Sequence, residues 1–192
     1  MYQVLVKKGQ AIIIDDIPAP VVSDNGVLVK VMYSCISAGT EMMGVNESGK
    51  SIIKKAMEQP KKVKKALNMM KNQGMSAILE KVKEMDLGKP TDYSAAGVVI
   101  AVGENVLDFK IGDRFACAGH ANHVEYIDVP RNLVIRVPDN LPFDLASTVT
   151  FGGIAMPRVR RVGLRLGKNV AVIGMGILGQ LSAQMLKASG VE

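Results

Sequence analysis

Short apolar runs divided by turn residues dominate the first 44 positions. Tyr2–Val6 and Ala11–Ile14 read as strands, and Val27–Tyr33 (Val-Leu-Val-Lys-Val-Met-Tyr) as a longer one. Pro18 and Pro20 impose extended, irregular backbone, and Asp24-Asn25-Gly26 is a turn signal. From Tyr93 to Val137 the pattern returns. Gly97–Val102 reads as a buried strand, and Gly103-Glu104-Asn105 and Ile111-Gly112-Asp113-Arg114 as turns. Phe115–Cys117, Val124–Val129 and Leu133–Val137 read as further short strands. Many short strands separated by Gly, Pro and Asp predict a small β-barrel.

Between these β stretches, residues 46–90 change period. Ile52, Ile53 and Ala56 share a helical face. Val63, Leu67 and Met70 follow a helix start at Pro60. Met75, Ile78, Leu79, Val82 and Met85 form a third stripe, closed by Gly88 and Pro90. Two or three short amphipathic helices with lysine-rich outer faces are expected. Beyond the β region, Phe143–Thr150 reads as a short helix with Asp144 near its start. Ile154–Val162 reads as a longer helix carrying Arg158, Arg160 and Arg161.

The last pattern is a strand, a glycine turn and a helix. Val170–Ile173 is a β-branched run that reads as a buried strand. It is followed by Gly174-Met175-Gly176-Ile177-Leu178-Gly179, a G-x-G-x-x-G, and then by Leu181, Met185 and Ala188 at helical spacing. Gly174 allows the tight turn, Gly176 lets a pyrophosphate approach the backbone, and Gly179 lets the helix pack close to the strand. The helix N-terminus offers free N–H groups and partial positive charge. Residues 174–179 are therefore expected to bind NAD or NADP. The residue that separates the two normally closes a second strand about 20 residues beyond the glycines. Glu192 precedes that strand and is not assigned.

Charge and cysteine content narrow the class. The net charge of +6 is local: residues 50–90 hold 11 Lys against 4 acids, and the rest 13 basic against 14 acidic side chains. No aromatic residue interleaves with those lysines, so no nucleic-acid partner is expected, and no apolar run reaches spanning length, so no membrane partner is expected either. The basic segment reads first as a solvated face, and second as a lid or patch for an anionic substrate. Two cysteines, Cys35 and Cys117, make no disulfide framework, and the N-terminus lacks a signal-peptide core. A cytoplasmic protein is expected.

Several stretches together resemble the medium-chain dehydrogenase/reductase superfamily of alcohol dehydrogenases and quinone reductases. They are Ala96–Gly103, Ile111–Phe115, Tyr126–Pro130, Val137-Pro138-Asp139 and Val170–Gly179, in the family's order. The resemblance implies an α/β chain with a mostly β N-terminal part. Residues 1–150 would form a chaperonin-10-like barrel with the helical insert at about 46–90. Residues 151–192 would form the first β–α unit of a Rossmann domain, truncated in this chain. Where the family places its first catalytic zinc ligand, this chain has Ser37-Ala38-Gly39-Thr40-Glu41. Where the family places the second, it has Asp92-Tyr93-Ser94. Two lost ligands leave no ordinary open zinc site, so a zinc-independent branch is implied and no metal is expected. Tyr33–Glu41, with the insert, also resembles the front part of bi-domain oxidoreductases of polysaccharide biosynthesis.

Without zinc, a carbonyl must be polarised by hydrogen bonds. Thr40 stands where the family has a proton-relay hydroxyl, and Tyr93 replaces a ligand, so both are candidate catalytic residues. For each there is a plainer reading: Thr40 as a helix cap and Tyr93 as a structural phenol. Cys117, His120 and His123 have metal-ligand chemistry, but strand alternation need not converge them, and a polar turn is the favoured reading. Cys35 has no base nearby in sequence. The expectation is a zinc-independent NAD(P)-dependent oxidoreductase that moves hydride between an alcohol and a carbonyl, with a sugar or nucleotide-linked compound as a candidate substrate. This chain would be its N-terminal fragment, and a homo-oligomer is compatible with it. The alternative is a non-catalytic binding or assembly module derived from the same family.

Overall fold

The computed structural model describes residues 1–49, 57, 89–91, 93–119, 123–163 and 169–191. The helices expected within 46–90 fall largely outside the described residues, as do His120, Asp92 and Glu192. The chain divides into two compact units: Met1–Ile17 with Ala38–Thr91, and Pro18–Ser37 with Asp92–Glu192.

In the first unit, β1 (Gln3–Lys7) and β2 (Gln10–Ile14) form an antiparallel hairpin with Lys7 opposite Gln10. Two residues remain for the turn, Lys8 at φ 49° and Gly9 at φ 82°. Two left-handed residues in succession match the right-handed twist of the flanking strands. The Gly9 N–H donates to Ser48 Oγ at 2.8 Å, tying the turn to helix α1 (Ala38–Gly49). The short β4 (Lys89–Pro90) pairs with β1 on its other edge.

The second unit is built on a five-stranded antiparallel sheet. Its strands are β3 (Gly26–Ser34), β5 (Ser94–Val102), β6 (Arg114–Ala118), β7 (Tyr126–Pro130) and β8 (Val134–Arg136), in the order β7-β3-β5-β6-β8. The period-2 pattern does what it predicts. Val27 and Val29, Ile127 and Val129, and Phe115 and Cys117 point into one core with Val99, Val106 and Phe109. Each large apolar side chain sealed there contributes about 1.5–3 kcal/mol. The other face buries Ala96 and Ala116 against Val137 and Ala146. Those small side chains let helix α2 (Phe143–Ala146) lie close to the sheet. This two-sided burial explains why β5 begins at Ser94 and not at the expected Gly97: Ala95 and Ala96 carry too little apolar bulk to read as strand, yet pair with Ser34 and Tyr33 on one side and with Cys117 and Ala116 on the other.

The helical boundaries also differ from expectation. The break falls at Ser147–Thr148, and helix α3 (Val149–Arg161) runs unbroken through Gly152, Gly153 and Pro157. Interior glycine costs about 1 kcal/mol and interior proline about 3 kcal/mol. Burial of Phe151, Ala155 and Val159, spaced by four, offsets that cost. α3 packs on the last helix, α4 (Ile177–Ala188). A Cβ on Gly152 would stand 3.8 Å from the Met185 Cε. Among the described residues no helix is long and apolar enough to cross a membrane.

Candidate functional site

The glycine turn has the geometry its spacing demands. Gly174 sits at φ 91°, a region closed to most side chains. A Cβ on Gly179 would overlap the Gly174 carbonyl oxygen and stand 3.7 Å from Val172 Cγ1, so α4 rests directly on the preceding backbone. A Cβ on Gly176 would meet nothing within 4 Å. The three glycines therefore differ in kind: one shapes the turn, one seats the helix, and one faces open space. Gly176 is the N-cap of α4 and no side chain caps that end. The first intrahelical bond is Gln180 N–H to Gly176 O at 2.9 Å, and Gln180 Nε2 donates to Met175 O at 3.1 Å. The main-chain N–H groups of Ile177, Leu178 and Gly179 precede the first intrahelical donor, Gln180, as in any helix start. Such an end favours an anion through its aligned dipoles. The site fits a pyrophosphate because backbone can approach there without a Cβ between.

The segment before the turn corrects the sequence reading. Val170–Ile173 joins no ladder among the described residues, and it is not buried: Ile173 is 99% exposed and Met175 59%. Val170 and Val172 are half-covered while Ala171 and Ile173 are exposed, so α4 shields one face only. Strand character needs a neighbouring strand for its N–H and C=O groups. β-branched apolar residues predict the extended shape but cannot supply that neighbour.

Thr40 and Tyr93 belong to different units. Thr40 is the third residue of α1, exposed, with Glu41 beside it in the first turn. It therefore lies within the helix and not at its N-cap. Tyr93 precedes β5, half-buried, its ring 5.3 Å from that of Phe151 at 49°. Its carbonyl accepts from Gly119 N–H at 2.8 Å and Thr150 Oγ1 at 2.9 Å. Beside it lies a polar knot that sequence reasoning missed. The fully buried Ser94 donates to Ser147 O at 2.5 Å and accepts from Thr150 N–H at 3.2 Å. These bonds clamp the start of β5 to the junction of α2 and α3.

The positions where zinc ligands were sought carry other groups. Ala38 offers a methyl, Ser37 is buried at the start of α1, and the Ser94 hydroxyl is spent on Ser147. Cys117 is sealed in the sheet core among valines. Among the described residues no three His, Cys, Asp or Glu side chains converge. These donors do not fit a tetrahedral zinc ion, which takes thiolate, imidazole or carboxylate ligands. His123, once set apart from Cys117, lies against Ser34 instead, with Oγ and Nδ1 2.6 Å apart.

In the segment that joins β7 to β8, Arg131 Nε donates to Asp108 Oδ1 at 2.7 Å, and its guanidinium lies 4.7 Å from the centre of the Phe109 ring. The Arg131 hydrogen bond holds the Asp108 carboxyl below its ordinary range. This cluster braces two loops and offers no group free for chemistry.

No family model matches the chain. Among curated proteins it is 31% identical to the (R,R)-butanediol dehydrogenase of Bacillus subtilis (strain 168), over 51% of this chain and 36% of that protein. It is 30% identical to the NADP-dependent alcohol dehydrogenase C 1 of Mycolicibacterium smegmatis, over 52% of this chain and 40% of that protein. The matched stretches thus cover well under half of these relatives. Among known structures, the quinone oxidoreductase from Coxiella burnetii superposes with a TM-score of 0.70 at 20% identity, covering 100% of this chain and 54% of that one. Galactitol-1-phosphate dehydrogenase from Escherichia coli gives 0.72 at 17% identity, covering 100% and 54%. These relatives and neighbours are medium-chain dehydrogenase/reductase enzymes, whose fold joins a GroES-like part to a Rossmann domain.

Proposed function

We propose that this chain carries the barrel part and the dinucleotide turn of a zinc-independent, NAD(P)-dependent oxidoreductase that moves hydride between an alcohol and a carbonyl. In this reading residues 1–150 are the barrel part with its lysine-rich insert, and 151–192 begin the nucleotide-binding part. A sugar derivative is the proposed substrate class, on the resemblance of Tyr33–Glu41 to the polysaccharide bi-domain enzymes. The observation that carries the reading is the contrast among three glycines. Gly174 and Gly179 are occupied by the turn's own geometry, whereas Gly176 faces open space at an uncapped helix start.

The bound nicotinamide would supply the hydride. This chain's residues would do the rest. The main-chain N–H groups at Met175–Gly179 would hold the phosphates. Thr40 and Tyr93 are each proposed as a catalytic hydroxyl, able to donate one proton. Zinc independence rests on the donor set: Ala38 and Ser37 bring neither thiolate nor imidazole. The test is a titration of the protein with NADPH and NADH, followed by nucleotide fluorescence and by protection from proteolysis. Saturable binding of at least one is expected. No signal at millimolar nucleotide would overturn the proposal.

A further inference from the structure

The hydroxyls of the second unit divide by what they bond. Ser94, Ser147, Thr148, Thr150 and Ser189 each donate to a main-chain carbonyl. A carbonyl oxygen is too weak a base to take a hydroxyl proton, so these groups are structural. Ser34 differs, because its Oγ stands 2.6 Å from Nδ1 of His123. With the ring proton on Nε2, Nδ1 accepts from the Ser34 hydroxyl. Imidazole is basic enough near neutrality to take that proton as the oxygen attacks.

The pair is held from both sides. Ser34 ends β3 opposite Ala95, and the next residue, Cys35, donates its N–H to Ser94 O at 3.0 Å. Two residues after His123, the Glu125 carbonyl accepts from Val31 N–H at 2.9 Å. Backbone bonds thus position both partners although they stand 89 positions apart in sequence. Both residues are half-buried: neither is sealed in the core, and neither swings freely in solvent.

We infer that Ser34 and His123 form a nucleophile–base pair competent for acyl transfer and for capture of a phosphoryl fluoride, with activated carboxylic esters as the substrate class. This activity is separate from hydride transfer and does not rest on it. Ser34 Oγ forms a bond to the acyl carbon while its proton moves to His123 Nδ1. The carbon–oxygen bond to the alcohol breaks, and the alcohol leaves with the proton from the imidazolium. Water, deprotonated by the same nitrogen, then attacks the acyl-Ser34 ester and restores the hydroxyl.

The whole chain treated with diisopropyl fluorophosphate should gain one adduct, located at Ser34 by peptide mass mapping. Ser34→Ala should gain none there. His123→Gln, which keeps a polar partner without a base, should slow the adduct at least tenfold at an unchanged circular-dichroism melting curve. Absence of an adduct on the wild-type chain, modification at another serine instead, or an equal rate in His123→Gln would each overturn the assignment. The wild-type result decides even if a variant fails to fold.

Discussion

A single missing Cβ does different work at Gly176 and at Gly179. At Gly176 a side chain would enter open space and φ is −70°, so the fold tolerates one. Gly176→Val should leave the thermal midpoint nearly unchanged and weaken NAD(P)H binding at least tenfold, read by nucleotide fluorescence. At Gly179 a side chain would strike the Gly174 carbonyl. Alanine gains up to about 1 kcal/mol of helix propensity there, but overpacking against backbone costs about 1–3 kcal/mol. Gly179→Ala should therefore destabilise the protein in urea unfolding, with binding falling as a consequence. Ser94 offers a third residue-scale test. Ser94→Ala removes the donor to Ser147 O and the acceptor for Thr150 N–H, leaving two groups unpaired. The expected loss is about 1–3 kcal/mol by denaturant unfolding. The turn at Gly174 and the close seat at Gly179 were legible in sequence because they depend on local backbone alone. Ser34 with His123, and Ser94 with Ser147 and Thr150, were not: hydrogen bonds between residues far apart leave no periodic mark.

Elements follow the apolar pattern where one face is buried and depart from it where two are. β3 and β7 alternate, and their extents were read to within a few residues. The start of β5 was missed because Ala95 and Ala96 pack under both a sheet and a helix. The expected helices Phe143–Thr150 and Ile154–Val162 leave a gap over residues 151–153, but in the structure α3 runs through it, because tertiary burial of Phe151, Ala155 and Val159 outweighs local propensity. The sheet's anchor is Phe115, fully buried on β6. Phe115→Ala should cost about 3–5 kcal/mol by chemical denaturation. Between the β5–β6 loop and the turn after β7, Arg131 depresses the Asp108 pKa. A carboxyl depressed in the folded state adds stability above its ordinary pKa, and that contribution is lost as pH falls through the lowered value. The thermal midpoint of Asp108→Asn should therefore trail wild type slightly at about pH 7 and converge with it as pH falls through the lowered carboxyl value. The gap should be small, because both partners are solvent-exposed.

At the scale of the molecule, cofactor binding and stability are linked. A ligand bound only by the native state at 100 times its Kd adds about 2.7 kcal/mol. NADPH or NADH should raise the thermal midpoint of wild type and not of Gly176→Val, measured by calorimetry. Sequence by itself determined the β-rich body and the glycine turn with its helix. Each depends on short-range order: the period of apolar residues or the absence of a Cβ. Only the tertiary structure decided that Cys117 belongs to the core and that His123 meets Ser34. It also decided that Thr40 and Tyr93 lie in separate compact units, and that Val170–Ile173 joins no ladder among the described residues. Those outcomes depend on which distant segments become neighbours, and a strand or a side chain acquires its partner only when the chain has folded around it.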